Sequence, residues 1–154
     1  MIVRKGQART HTRAEPDFGV SETASFSGSS GITQYGAYLQ TLRPGARTST
    51  RHWHEQEDEF LYVLSGRVTV VENDGPHVLE PGDAACWPAG MPNAHHVLNE
   101  SAEPCSFLLV GTKVTHDVCH YPDVGRTLYT EGDVWRLEDA SGTVLKSGRV
   151  EPEG

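Results

Sequence analysis

Apolar and polar positions alternate along this chain in short runs of period two, and no segment sustains the 3.6-residue period of a helix over three turns. ITQYGAYLQTL (residues 32–42) is the first convincing strand, rich in β-branched and aromatic residues and stopped by Arg43-Pro44-Gly45-Ala46. EFLYVLSG (59–66) predicts a strand that closes at Ser65-Gly66. RVTVVENDGPHVLE (67–80) predicts a strand, a turn at Asp74-Gly75 and a short return strand. EPGD (80–83) carries Pro then Gly, the signature of a type II turn. AACWPAGMPN (84–93) reads as a short strand entering a Pro/Gly loop, and HHVLNESAEPCSFLLVGT (95–112) as two strands around a polar turn. HDVCHYPD (116–123) ends a strand, and DVWRLEDASGTVLKSG (133–148) predicts a hairpin turning at Ser141-Gly142. SETASFSGSSG (21–31) reads as loop, so residues 1–30 are expected to form an N-terminal arm.

Roughly eight to eleven short strands with regular turn signals imply an all-β, antiparallel sandwich or barrel with little or no helix. The expected organisation is a single domain over 1–154, with a barrel at 31–111 and a C-terminal extension and hairpin at 112–154. Composition agrees: 16 glycines and nine prolines in 154 residues suit a chain with many turns. The formal net charge of −8, with no extended basic cluster, argues against nucleic acid and anionic lipid as partners. No apolar run reaches the roughly 20 residues of a membrane span. The N-terminus lacks a signal-peptide core, and three cysteines without a CxxC pair read as reduced thiols, so a cytoplasmic location is expected.

The candidate chemistry lies in TSTRHWHEQEDEFLYVLSG (48–66). His52 and His54 are two apart, so in a strand both imidazoles face one side and Trp53 faces the other. Glu59 would fall on the opposite face of a continuous strand. A bend in the polar Glu55-Gln56-Glu57-Asp58 resets the phase, so that Glu59 faces the same way as Leu61 and Val63. Two imidazoles and a carboxylate suit a divalent transition metal with open positions for substrate. A third imidazole is expected from PNAHHVLN, where either His95 or His96 faces inward. The face that carries His95 would also carry Val97 and Asn99. His11, His77, His116 and His120 read as surface or loop residues, Glu55, Glu57 and Asp58 as a solvated bend, and Trp53 and Trp87 as packing residues. Tyr38 and Gln40 share one strand face.

These residues carry a resemblance. His52, His54, Glu59 and Gly66, spaced HxHx4Ex6G, resemble the first motif of the cupin superfamily. Gly82-x5-Pro88-x-Gly90 followed by His95-x3-Asn99 resembles the second. The family's histidine normally follows the Pro-x-Gly glycine by three residues, a place held here by Asn93; His95 keeps the spacing to Asn99, which reads as a two-residue insertion in the turn. The resemblance covers roughly residues 32–111, and the longer pattern through HDVCHYPD also resembles a group of small bacterial single-domain cupins. It implies a jelly-roll β-barrel with His52, His54, Glu59 and His95 holding one divalent metal per chain, whether Fe, Mn, Ni, Zn or Co. It also implies a metal-dependent enzyme on a small polar metabolite, of isomerase, lyase/decarboxylase or dioxygenase type. Glu59 would be a ligand or, displaced by substrate, a catalytic base. The alternative is a non-catalytic module that binds or senses a sugar or carboxylate. Apolar residues on both faces of EFLYVL imply a homodimer.

Overall fold

The computed structural model describes residues 1–150 and is built almost wholly of antiparallel strands. A six-stranded sheet contains β1 (Arg9–Glu15), β2 (Gly19–Ser25), β3 (Tyr35–Leu42), β10 (Cys105–Thr112), β5 (Glu59–Ser65) and β8 (Ala84–Trp87), in that spatial order. A three-stranded sheet runs β7 (Gly75–Leu79), β6 (Val68–Glu72), β9 (His96–Leu98). A five-stranded sheet runs β14 (Val144–Arg149), β13 (Val134–Asp139), β12 (Arg126–Glu131), β11 (His116–Tyr121), β4 (Trp53–His54). Isolated bridges, Arg47 to Leu98 and His52 to His95, join the β9 segment to the chain leading into β4.

Alternation decides which side chains meet. Leu42, Leu61, Val63, Cys105 and Phe107 project from the inner face of the six-stranded sheet. They join Val68, Val70, Leu79 and Val97 of the three-stranded sheet, with Trp87, in one apolar core. Phe60, Tyr62 and Leu64 point the opposite way and remain 37%, 38% and 49% exposed. Gly66 ends β5 with a φ of +72°, and an added Cβ there would lie 2.6 Å from the Pro104 carbonyl oxygen. That close approach lets the start of β10 pack over the turn.

Several expectations need correction. Within the N-terminal arm, residues 1–30, β1 and β2 form a hairpin that extends the six-stranded sheet, with Ser21–Ser25 paired to Leu42–Tyr38. SETASFSGSSG is not a loop, because it closes β2 and then forms α1 (Phe26–Ser30). The Ser25 hydroxyl caps that helix by accepting from the Gly28 N–H, and Gly31 ends it in the left-handed region. The buried Ser27 hydroxyl accepts from the Ala37 N–H and ties the helix to β3. Most side chains of this hairpin face water, so its sequence carries little apolar alternation; pairing with β3 makes it a sheet. The turn expected at Asp74-Gly75 is displaced by one residue. Glu72 pairs with Gly75, so Asn73-Asp74 forms the two-residue loop and Gly75 opens β7. β12 has no counterpart in the pattern reading, and the described strands number fourteen, more than expected.

Two outcomes follow from this packing. Phe107 is fully buried at the centre of the core, so Phe107→Ala is expected to lower stability by about 3–5 kcal/mol in chemical denaturation, while Val78→Ala, at an exposed position, changes it by less than about 0.5 kcal/mol. The apolar outer face at Phe60, Tyr62 and Leu64 is not covered by the N-terminal hairpin, and a second copy of the chain is expected to cover it. Sedimentation at micromolar concentration should give a dimer, and Tyr62→Lys should shift it to monomer.

Candidate metal centre

Three residues, His52 to His54, carry the chain between two sheets. His52 pairs with His95 through both backbone hydrogen bonds, 3.1 and 2.9 Å long. His54 pairs in register with Cys119 of β11, and Trp53 with His120. Alternation then does the rest. His52 and His54 face the interior, whereas Trp53 turns outward and stacks on His120 with ring centroids 4.3 Å apart. The bend after His54 lets Glu59 open β5 on the face that carries Leu61 and Val63.

The four residues singled out from the sequence come together. Glu59 Oε2 lies 2.7 Å from His95 Nε2, 3.9 Å from His52 Nε2 and 4.0 Å from His54 Nε2. Between the two histidine candidates of the second motif, His95 faces inward at 4% exposure, with Val97 and Asn99 buried on the same side. His96 is half-buried and turned away, its Nδ1 3.0 Å from the Ser49 carbonyl. Trp87 stacks flat on His95, with centroids 3.7 Å apart and planes 6° from parallel, and donates its indole N–H to Glu72. It is a packing residue that fixes the ring. His11, His77 and His116 are exposed, and His120 is half-buried in an ion pair with Glu55, 2.8 Å away. Tyr38 and Gln40 lie on the inner sheet face, in register with Leu109 and Phe107.

The second nitrogen of each inward ring has an acceptor. His52 Nδ1 donates to the Thr50 carbonyl at 2.9 Å, His95 Nδ1 to the Asn93 carbonyl at 3.1 Å, and His54 Nδ1 to the Asp117 carboxylate at 2.6 Å. A carbonyl oxygen can only accept, so His52 and His95 carry a proton on Nδ1 and direct Nε2 inward. That Nδ1 proton is the one a metal-ligating imidazole keeps. The inward proton that His95 Nε2 donates to Glu59, and the second proton that His54 keeps beside Asp117, are those a bound cation would replace. Electrostatics point the same way. Burial alone would raise the Glu59 pKa, but the hydrogen bond from His95 and the nearby His52 and His54 hold it below the usual carboxylate range. Burial lowers the His52 pKa and keeps that ring neutral. Burial also disfavours charge on His54, yet the Asp117 carboxylate, with Cys119 and Glu59 beside it, outweighs this and raises its pKa to about 11. Surroundings that stabilise a proton on this ring also stabilise a cation in its place.

Sequence reasoning missed Asp117, Cys119 and Tyr121. They alternate along β11, so all three face the histidines. Asp117 orients His54 and also accepts from the Gln56 N–H at 3.0 Å. Cys119 Sγ lies 3.9 Å from His54 Nε2. The Tyr121 ring sits 5.7 Å from that of His52, and burial with Cys119 beside it pushes its hydroxyl pKa well above the ordinary value. The signal in the sequence is the D-x-C-x-Y alternation within HDVCHY, which puts the three side chains on one strand face. Glu57, read as part of a solvated bend, is instead half-buried 3.7 Å from His54 Nδ1, and burial raises its pKa.

The donor set fits a divalent ion. His52, Glu59 and His95 form one group, and His52, His54 and Cys119 another, in each of which the ligand atoms lie within 4.8 Å of one another. Asp117→Asn keeps the shape of the side chain but removes the charge that orients His54. It is expected to weaken divalent-metal affinity by about 10–100-fold, read by competition with a chelating dye, without loss of fold by circular dichroism.

Comparison with known proteins bears on this geometry. A family model for the cupin domain matches residues 38–111, the segment that carries His52, His54, Glu59 and His95. The chain is similar to a solved structure described as a sugar phosphate isomerase from a cupin superfamily, from Silicibacter pomeroyi, at 27% identity and a TM-score of 0.85, covering 98% of this chain and 100% of that one. It also matches oxalate decarboxylase OxdC of Bacillus subtilis at 39% identity over 74 residues; the match takes in 45% of this chain and only 18% of that protein. A predicted oxalate decarboxylase from Thermotoga maritima shares the fold at 22% identity, with a TM-score of 0.62 over 74% of this chain and 100% of that one. Strands in these sheets, the matched domain and the full-length structural similarity together make this chain a member of the cupin superfamily.

Proposed function

We propose that this protein is a cytoplasmic metal-dependent enzyme that isomerises a small phosphorylated sugar or a related polyol, with one divalent ion held by His52, His54, Glu59 and His95. The observation that carries the reading is the convergence of three Nε2 atoms on Glu59 Oε2 while each Nδ1 is engaged outside the cluster. Bound there, the ion would polarise a substrate carbonyl or hydroxyl oxygen. The remaining work falls to the chain. Aldose–ketose interconversion moves a proton between adjacent carbons, which needs a base beside those carbons and a hydrogen-bond donor beside the carbonyl oxygen. Glu59, with its lowered pKa, is ionised at neutral pH and, once substrate displaces it from the ion, would be able to accept a proton. Tyr121, with its raised pKa, keeps its hydroxyl proton and can donate a hydrogen bond. Asp117 and Trp87 hold the rings of His54 and His95 in place. The choice of substrate class is supported by the printed description of the similar Silicibacter pomeroyi structure, which this chain matches over nearly its whole length. The shorter similarity to oxalate decarboxylase favours a second reading, loss of carbon dioxide from a small dicarboxylate.

Elemental analysis of protein purified without chelator is expected to find close to one divalent transition metal per chain, and His54→Ala should lose most of it. With that metal restored, aldose and ketose phosphates should interconvert, and Glu59→Gln should lower kcat by about 100-fold or more. Oxalate turnover with no activity on sugar phosphates would replace the isomerase reading with the decarboxylase one. Full metal retention in His54→Ala would remove the assigned centre.

A further inference from the structure

We propose that Cys119 supplies a thiolate donor to the metal centre, making it a mixed imidazole, carboxylate and thiolate site. The inference rests on the metal-centre reading above and concerns which ligands complete it. Its basis is register. Cys119 stands directly opposite His54 in the β4–β11 pair, so both side chains must project to the same side of the sheet. Cys119 is 2% exposed, and its Sγ lies 3.9 Å from His54 Nε2, the nitrogen that faces Glu59. Ligand atoms of His52, His54 and Cys119 lie within 4.8 Å of one another. The 3.9 Å separation of Sγ and Nε2 is short enough for both atoms to reach one ion, given donor–metal distances of about 2.1–2.3 Å.

The surroundings separate this thiol from an ordinary core cysteine. Cys105 is equally hidden, but it packs with Leu42 and Phe107 in the apolar cluster, and burial pushes its thiol pKa up. Cys119 is absent from that cluster. Its neighbours on β11 facing the same way are Asp117 and Tyr121, and across the pair is His54. A small apolar residue would gain nothing among such polar groups. As the metal–sulfur bond forms, the thiol proton leaves to solvent. A thiolate among imidazoles favours zinc, cobalt or iron over manganese, which prefers oxygen donors.

Cobalt(II) loaded into the full-length protein tests this directly. Visible ligand-field bands report that cobalt occupies the centre, whatever its sulfur content. A thiolate-to-cobalt charge-transfer band in the near ultraviolet reports the sulfur. The native chain and the Cys86→Ser and Cys105→Ala variants are expected to show both, and Cys119→Ser only the ligand-field bands. Ligand-field bands without the charge-transfer band in the native chain would overturn the role of Cys119 and leave the metal centre intact. No cobalt binding at all would overturn both. Persistence of the sulfur band in Cys119→Ser would assign it to another thiol. If Cys119→Ser does not fold by circular dichroism, the native spectrum together with the two other cysteine variants decides the question.

Discussion

An ionised carboxylate in a protein interior is tolerable only when positive charge or strong donors surround it, and the site is organised around that constraint. Glu59 satisfies it with a 2.7 Å hydrogen bond from His95 Nε2 and with His54, whose raised pKa keeps it charged, 4.0 Å away. Each imidazole in turn needs a fixed ring, which requires an acceptor at its far nitrogen. Thr50, Asn93 and Asp117 supply these acceptors from three separate stretches of chain. Removing any one of them would leave a ring free to turn its lone pair away from the centre.

Scaffold and site divide the sheets between them. Packing of the six-stranded sheet on the three-stranded sheet provides the apolar core around Phe107 and presents Glu59 and Trp87 from neighbouring strands β5 and β8. His52 and His95 meet across a bridge between the three-stranded sheet's β9 segment and the entry to β4, and the five-stranded sheet closes the other side with Asp117, Cys119 and Tyr121. No single hairpin holds the cluster, so its geometry depends on the mutual placement of all three sheets. The two-residue strand β4 links these sheets: it is paired with β11 on one side and preceded by the His52–His95 bridge on the other.

A shared fold does not choose a reaction. The cupin domain places a carboxylate and three imidazoles together. The groups that would give this chain its own chemistry come from β11, which lies beyond the matched segment 38–111. Tyr121 and Cys119 face the histidines from that strand, and on the readings proposed above they would add a donor and a soft ligand that the two sequence motifs do not contain.

What the sequence determined by itself is what depends on near neighbours. Short runs rich in β-branched and aromatic residues, bounded by Gly, Pro and Asp turns, mark β3, β5, β6 and the later hairpin. Period-two alternation places His52 beside His54, returns Glu59 to the inner face after a polar bend, and groups His95 with Val97 and Asn99. Tertiary structure decided everything that depends on which strands pair. The N-terminal hairpin has no apolar stripe to announce it and becomes sheet only against β3. Asp117 and Cys119 lie 63 and 65 residues from His54, and no local pattern states that separation as a contact. Their meeting follows from the β4–β11 register, in which a shift of one residue would have turned Asp117, Cys119 and Tyr121 outward and brought His116, Val118 and His120 to the histidines instead.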